Sequence, residues 1–386
     1  MGLGAIIASG EENELLSNEL FHCITEVRVE QTLDQPIRFA IRFQEDIQDG
    51  EPRVRQTPEL QAEQIIAIAV ETRDEIKCLV RGPITETKGS TTLGGPGSWY
   101  EVRGQDRRIE MSRVCARRAW IGRASEVAES ILSSHAFTPE TQETTRVYEE
   151  STGTLNQRGS DLDFIQQLAR TNNLSFWISF ESQSGGLNPL GPSSLTIEEI
   201  ANFTSSPPRP EGGLGVPLPP IPLVASTDVA FRVNVEQGRC QTVSSFDLNV
   251  DTERASQFRG SAVDDRSVRT ETASAEDTQP PIVQGGDPLP SLAPSERIVC
   301  LTVAGNQEEL QTRSQAALTD AGWFVTATAR TTAHMLEGVV QPHDVVPVEG
   351  LGARDSGDYQ VSAVTHIINS ADHHMEVRLR RNSLGK

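Results

Sequence analysis

The chain has 386 residues, 36% of them hydrophobic and only 5% aromatic, with a formal net charge of −20. Length points to about two to three domains, and the low aromatic content points to a long, poorly packed segment beside an ordinary core. Lysine occurs only at Lys77, Lys88 and Lys386, so the positive face that counterion release from a duplex requires is missing, and nucleic acid is excluded as a partner.

Cys23, Cys78, Cys115, Cys240 and Cys300 are odd in number and dispersed, with no C-x-x-C spacing. This suits reduced thiols in a protein made and assembled in the cytoplasm, and suits neither a disulfide framework nor a zinc site. The opening residues Met1 to Ser9 carry no basic region, and their apolar run is too short for a signal segment. No window reaches the ~18 apolar residues of a membrane span, so no direct membrane insertion is expected.

Residues 1–20 read as an N-terminal arm. From 21 to 114 the pattern is antiparallel β: Ile37, Phe39, Ile41 and Phe43 alternate with Arg38 and Arg42, the period of a half-buried strand. Further strands are predicted over 24–30, 64–70, 76–81, 98–103 and 107–111, separated by turn clusters such as Gly94-Gly95-Pro96-Gly97. Their spacing suggests a small barrel or sandwich. Residues 115–182 change rhythm to α/β. A helix is predicted over 126–134, with Ser125 as its N-cap, and another over 161–171. Ser160 and Asp163 open the second at capping-box spacing, Leu162, Phe164, Ile165, Leu168 and Ala169 form its stripe, and an alternating strand follows from Leu174 to Phe180.

Nine of the 22 prolines fall between Pro189 and Pro222, so residues 183–224 read as a Pro/Gly-rich linker or extended loop. Residues 225–322 read as a mixed α/β segment lending strands (229–235 and 243–250) to a second barrel. This segment holds an acidic loop at 264–295 and a helix over 307–321 opened by Asn306. Residues 323–386 close the chain as a second barrel-like β domain, with Met375, Val377 and Leu379 alternating with Glu376, Arg378 and Arg380. The expected class is α+β, mainly β: two barrel-like antiparallel β domains with an α/β domain between them.

Chemistry is sparse in this pattern. No G-x-S-x-G elbow exists, and Gly350-Leu351-Gly352 joins two strands where a dinucleotide loop must open a helix. His366, His373 and His374 approach one another if the last two strands form a hairpin, but acidic or cysteine ligands at regular spacing are missing. Neither a metal nor a cofactor is therefore expected. The acidic pairs Glu149-Glu150, Glu198-Glu199, Asp264-Asp265 and Glu308-Glu309 read as solvated, and the chain is expected not to be an enzyme. One charge feature stands out: Arg103, Arg107, Arg108, Arg113, Arg117, Arg118 and Arg123 crowd one stretch of an acidic chain. It is either a solvated strand face paired with Asp106 and Glu110, or a subunit interface formed by Arg107, Arg108, Arg113, Arg117 and Arg118 against an acidic neighbour.

Three segments carry a family resemblance. Gly159-Ser160-Asp161-Leu162-Asp163-Phe164-Ile165 continues to Leu168-Ala169 and Leu174-Ser175-Phe176-Trp177. Near the end, Gly357-Asp358-Tyr359-Gln360-Val361 runs to His366, and Glu376 to Asn382 is followed by Gly385. Between them lies Gly338 to Gly350, where His343 stands at a position commonly glycine. In order and spacing these resemble phage late control D proteins, a tail baseplate hub family, and the N-terminal hub region of type VI secretion spike proteins.

The resemblance marks Ser160, Asp161, Asp163, Phe164 and Leu168, and Gly357, Tyr359, Val361, His366, Arg380, Arg381 and Asn382, as structural motif positions. It implies a baseplate hub without chemistry, acting in a phage-tail-like particle that is released or cell-anchored. As a homotrimer the hub connects a hexameric inner tube to a trimeric spike, with baseplate wedge proteins around it. Because the chain ends soon after its Arg-Asn segment, the spike is expected to be a separate protein. The alternative is a cell-wall-degrading effector or enzyme carried by the same particle. A soluble carbohydrate-binding protein is disfavoured by four tryptophans and three tyrosines.

Overall fold

The computed structural model describes residues 4–45, 47–48, 51–73, 75–92, 97–151, 153–188, 191–206, 229–235, 240–264, 269–275, 286–292, 298–302 and 307–385. The fold is α+β and mainly β. Alternating side chains build its largest sheet. In β2 (Ile24–Thr32) Val27 and Val29 are buried, and in β3 (Arg38–Gln44) Phe39, Ile41 and Phe43 face the core while Arg38 and Arg42 face out. Residues 5–9, expected within an arm, instead form β1 (Ala5–Ser9), which pairs with β4 (Ile65–Glu71). The reason is its own apolar run: Ala5, Ile7 and Ala8 are buried, and burying them outweighs leaving the segment free.

β5 (Ile76–Ser90) is long enough to serve two neighbours. Its first half pairs with β4 and its second with β6 (Trp99–Gln105). At the changeover the backbones press together: a Cβ on Gly82 would lie 1.9 Å from the Gln105 carbonyl oxygen, and one on Gly104 2.2 Å from that of Pro83. Only glycine fits so close an approach.

The predicted strand over 107–111 is instead a short helix, α2 (Arg108–Met111). The Asp106 carboxylate accepts the backbone N–H of Arg108 at 2.9 Å, so a side-chain cap turns the chain where period alone suggested extension. α1 (Asn18–Cys23) precedes β2 and is capped by Ser17.

In the middle of the chain, β7 (Cys115–Trp120) pairs with β9 (Leu155–Ser160) as a two-stranded ribbon. α3 (Ala124–Ser134) and α4 (Asp161–Thr171) pack on a small sheet of β8 (Thr138–Thr141), β11 (Gly191–Thr204) and β10 (Ser175–Asn188). The expected N-cap of α3, Ser125, lies inside the helix with its hydroxyl toward Thr144. Arg123 occupies the cap, and its N–H donates to Glu126 at 2.8 Å. The proline-rich expectation also needs correcting. β10 and β11 pair from Ser175↔Thr204 to Asn188↔Gly191, so regular structure enters 183–204. Residues 195–204 carry no proline and alternate; averaging them with the proline-dense stretch beyond hid the strand. Residues 207–228 lie outside the described residues.

In the C-terminal part, Val229–Val235 shortens to the two-residue strand Phe231–Arg232, while β12 (Ser245–Val250) forms. β13 (Gln257–Asp264) pairs with β14 (Arg269–Ala275) and β15 (Ile298–Thr302). Part of the expected acidic loop is thus paired, and residues 276–285 lie outside the described residues. α5 (Gln307–Ala321) packs on this sheet through Leu318 and Ala321 against Phe258. β16 (Val325–Thr332), β17 (Val345–Glu349), β18 (Gly357–Ile368) and β19 (His373–Arg381) complete the chain.

The two end regions share one 13-stranded sheet, ordered β12-β16-β19-β18-β2-β3-β6-β5-β4-β1 with the two-residue strand Glu14–Leu15 at one edge, while β17 and the strand Phe231–Arg232 branch from β18. β2 against β18, from Val27↔Ile368 to Thr32↔Ala363, is the seam. One hydrophobic core crosses it, from Ile7 and Ile68 to Val364 and Leu379.

Candidate functional site

The first motif segment serves packing. Ser160 Oγ accepts the Asp163 N–H at 3.1 Å and its hydroxyl donates to the Asp163 carboxylate at 2.6 Å, which closes the start of α4. Asp161 meets His135 Nε2 at 2.9 Å and the Gln157 amide at 2.6 Å. Burial resists its ionisation, but these bonds outweigh burial and hold the carboxyl below its ordinary range. Phe164, Ile165 and Leu168 are buried with Ile131, Phe176 and Phe203.

The last motif gathers around Arg381, which is fully buried. Its guanidinium donates to the carbonyls of Ser356 at 2.9 Å and Gly385 at 2.6 Å and lies 5.4 Å from the Tyr359 ring. Tyr359 donates to the Asp355 carbonyl at 2.7 Å. Gly357 has φ 132°, Val361 and Asn382 are buried, and together they fix the turn that leads into β18. Arg380 donates to Gln360 at 2.7 Å and covers Trp323 at 4.2 Å; burial lowers it to about 10.

His366 and His373 do come together, Nδ1 to Nε2 at 3.0 Å, but His374 is exposed on the opposite face. His366 Nε2 lies 3.3 Å from Gln31 Oε1, and Gln31 Nε2 donates to the Leu79 carbonyl at 2.8 Å. Because the Gln31 amide is used as a donor, its oxygen must accept from His366, and His366 Nδ1 accepts from His373. Both imidazoles are thus held neutral: burial pushes His366 well below its usual value and His373 down to about 4. This buried chain ties the C-terminal hairpin to the N-terminal strands. No group of three or more His, Cys, Asp or Glu able to hold a metal exists among the described residues.

The arginine stretch divides. Arg108 and Asp106 are both buried and paired, with Nη2 to Oδ2 at 2.6 Å and Nε to Oδ1 at 3.0 Å. Asp106 also accepts the Ile37 N–H at 2.6 Å, and Arg108 donates to the Gln35 carbonyl at 2.7 Å and that of Phe176 at 3.4 Å. Arg107 bonds Glu199 at 3.0 Å, and Arg81 bonds the same carboxylate at 3.1 Å. Arg107 and Arg108 therefore join parts of one subunit; Arg108 is buried and presents no surface to another, while Arg107 stays partly exposed. Glu199, expected to be solvated, is buried as their counter-charge. Arg113 pairs with Glu63, and Arg117 and Arg118 stand exposed on β7.

Sequence reasoning missed the junction that Trp177, Ser206, Gln360 and His343 make. The His343 ring stacks on Trp177 at 3.8 Å, and its Nδ1 lies 2.8 Å from Ser206 Oγ, which also accepts from Gln360. His343 has φ 79°, the left-handed conformation that makes glycine common there; the stack and the hydrogen bond offset its cost. Burial drives its imidazole well below the usual value. A cavity of about 50 Å3 beside it is lined by Gln31, Arg108, Trp177 and Gln341. The larger depression, about 350 Å3 around Arg28, Arg38 and Arg103, opens on the outer face of the sheet. Ser206, the one hydroxyl bonded to a base here, is not among the residues that line the small cavity. Cys78 is buried and its thiol is pushed up.

In sequence, the chain matches no family model and no curated protein. In structure, it is similar to a tail protein from Neisseria meningitidis, at 13% identity and TM-score 0.62, over 98% of this chain and 96% of that one. A prophage 43 kDa tail protein from Shewanella oneidensis matches at 10% identity and TM-score 0.62 over 97% of both chains. A type VI secretion component from E. coli, described as structurally similar to the T4 phage tail proteins gp27 and gp5, matches at 11% identity and TM-score 0.50, over 93% of this chain and 74% of that one. The fold is that of phage tail proteins.

Proposed function

We propose that this chain is a structural baseplate hub of a contractile injection system or phage-tail-like particle, three copies of which connect a hexameric inner tube to a trimeric spike. The observation that carries this reading is the pair of antiparallel β regions, one from each end of the chain, set side by side in one sheet within a tail-protein fold. Three copies with two β regions each offer six related faces to the tube while keeping three-fold symmetry for the spike. A structural role also suits the interior, where Asp106–Arg108 and Arg81–Glu199–Arg107 tie separate regions together and rigidify the platform. The test is copy number in the assembled particle, read by quantitative mass spectrometry against the tube protein and by cryo-electron microscopy. Three copies on the central axis are expected; one copy, six copies or an off-axis position overturns the reading.

A further inference from the structure

Four of the five large apolar side chains exposed among the described residues fall on two small surfaces. The first surrounds the β7–β9 ribbon. Among the described residues β7 pairs only with β9, so one edge keeps open N–H and C=O groups, and most of its side chains are in solvent. Arg117 lies directly opposite Arg158, and both are exposed. Like charges in that position repel, an arrangement that an external anion relieves. Val114 (72% exposed), Ile121 (61%) and Val147 (48%) border the ribbon, the last two brought close by the Arg123↔Val147 pairing.

The second surface is the free edge of the large sheet. There, among the described residues, the strand Glu14–Leu15 pairs only with β1. Leu15 (38% exposed) sits beside exposed Glu12 and Glu14; Glu11, also exposed, already pairs with Arg81 at 2.7 Å. Each surface is thus an unpaired strand edge with apolar side chains beside it; the charges on the ribbon strands are all arginine (Arg117, Arg118 and Arg158), while exposed Glu143, Glu149 and Glu150 flank Val147. Open edges invite pairing with another chain unless something covers them, and the arginines of the first edge are opposite in charge to Glu12 and Glu14 of the second.

We propose that the β7 edge of one copy docks on the acidic Glu11–Leu15 edge of a second copy of this chain. The occupant is a second copy because the complementary acidic, apolar edge is present on the chain itself. The contact joins two different surfaces, so it runs head to tail and closes into a ring when the rotation permits. Closure at three rests on the hub reading; the contact does not.

Cys115 is a free, exposed thiol on β7. Cys240 is also free and exposed, so in the full-length Glu14→Cys, Cys240→Ser variant a short bis-maleimide is expected to give covalent dimers and trimers and nothing larger. Adding Cys115→Ser should abolish them. Adding R117E and R158E should cut their yield at least tenfold, with the melting temperature unchanged because both residues are exposed. Further adding E12R should recover part of the yield. Crosslinks that survive Cys115→Ser, or are indifferent to charge reversal, overturn the proposal, as does a chain that stays monomeric at its highest soluble concentration. Particles holding three copies on the axis without this crosslink would sink the interface and spare the hub. A crosslinked chain sitting off the axis would do the reverse.

Discussion

Asp106 and Arg108 form the most enclosed ion pair among the described residues, and their partners make the outcome of breaking it asymmetric. In Asp106→Ala, Arg108 keeps only the carbonyls of Gln35 and Phe176, so a buried cation loses its counter-charge. Orphaning a buried charge costs about 3–5 kcal/mol. In Arg108→Met, Asp106 still accepts the backbone N–H groups of Ile37 and residue 108, so its charge stays partly compensated and the cost is smaller. Unfolding entropy of about 2.1 cal/mol/K per residue gives about 0.8 kcal/mol/K over the whole chain. Asp106→Ala should then lower Tm by about 4–6 °C if all regions melt together, and roughly four times that if the N-terminal β region melts alone. Differential scanning calorimetry of both variants reads the asymmetry and the size of the cooperative unit together. Equal losses, or a larger loss in Arg108→Met, would refute the reasoning.

Phe164→Ala empties a buried site between α4 and its sheet and should cost about 3–5 kcal/mol by urea denaturation; an unchanged midpoint would mean the stripe is not packed as described. Arg381→Ala leaves the buried carbonyl of Ser356 without its donor, at about 1–3 kcal/mol, and frees that of the partly exposed Gly385 to water; it should raise hydrogen exchange first in the turn before β18, and unaltered protection there would contradict this. The pH profile has two opposed parts. Burial holds His373 neutral down to about pH 4, so its contribution is full above about pH 6.5 and falls by about 3 kcal/mol as the pH drops to 4. Burial raises Asp344 to about 6, so the folded state takes up its proton first and gains stability as pH falls through the same window. Asp344→Asn removes that compensation, and its urea midpoint should fall more steeply between pH 6.5 and 4 than that of the unmodified chain; parallel profiles would count against both assignments.

Period was legible wherever one face of an element is buried and the other wet. β3, α4 and β19 form within a residue of where their alternation or stripe predicts them, because the pattern reports a local fact. What each face packs against is not local. Glu199 looked like half of a solvated acidic pair because its two cations lie 118 and 92 residues away. The β2–β18 seam unites residues more than three hundred positions apart, and nothing near Thr32 announces Ala363. The strand over 107–111 failed for a different reason: the Asp106 cap outcompeted a weak alternation. The β11 strand was hidden by composition, since proline density was averaged across a segment whose first part carries its prolines near the turn.

The motif residues and the proposed assembly surfaces do different work, and that difference explains why resemblance outran composition. Ser160, Asp161, Tyr359 and Arg381 spend their polar atoms on the chain's own caps, turns and buried partners. Any sequence adopting this fold must satisfy the same backbone groups, so such residues report the fold even where identity to tail proteins is 13%. Position 343 makes the same point from the other side. Its φ of 79° belongs to the fold, and a histidine can stand there because Trp177 and Ser206 hold its ring. Val114, Arg117, Ile121 and Leu15 leave much of their side chains in solvent. Their exposure is a cost the fold does not require, so its explanation has to lie in what touches them, and mutations there should alter assembly while leaving stability within about ±0.5 kcal/mol.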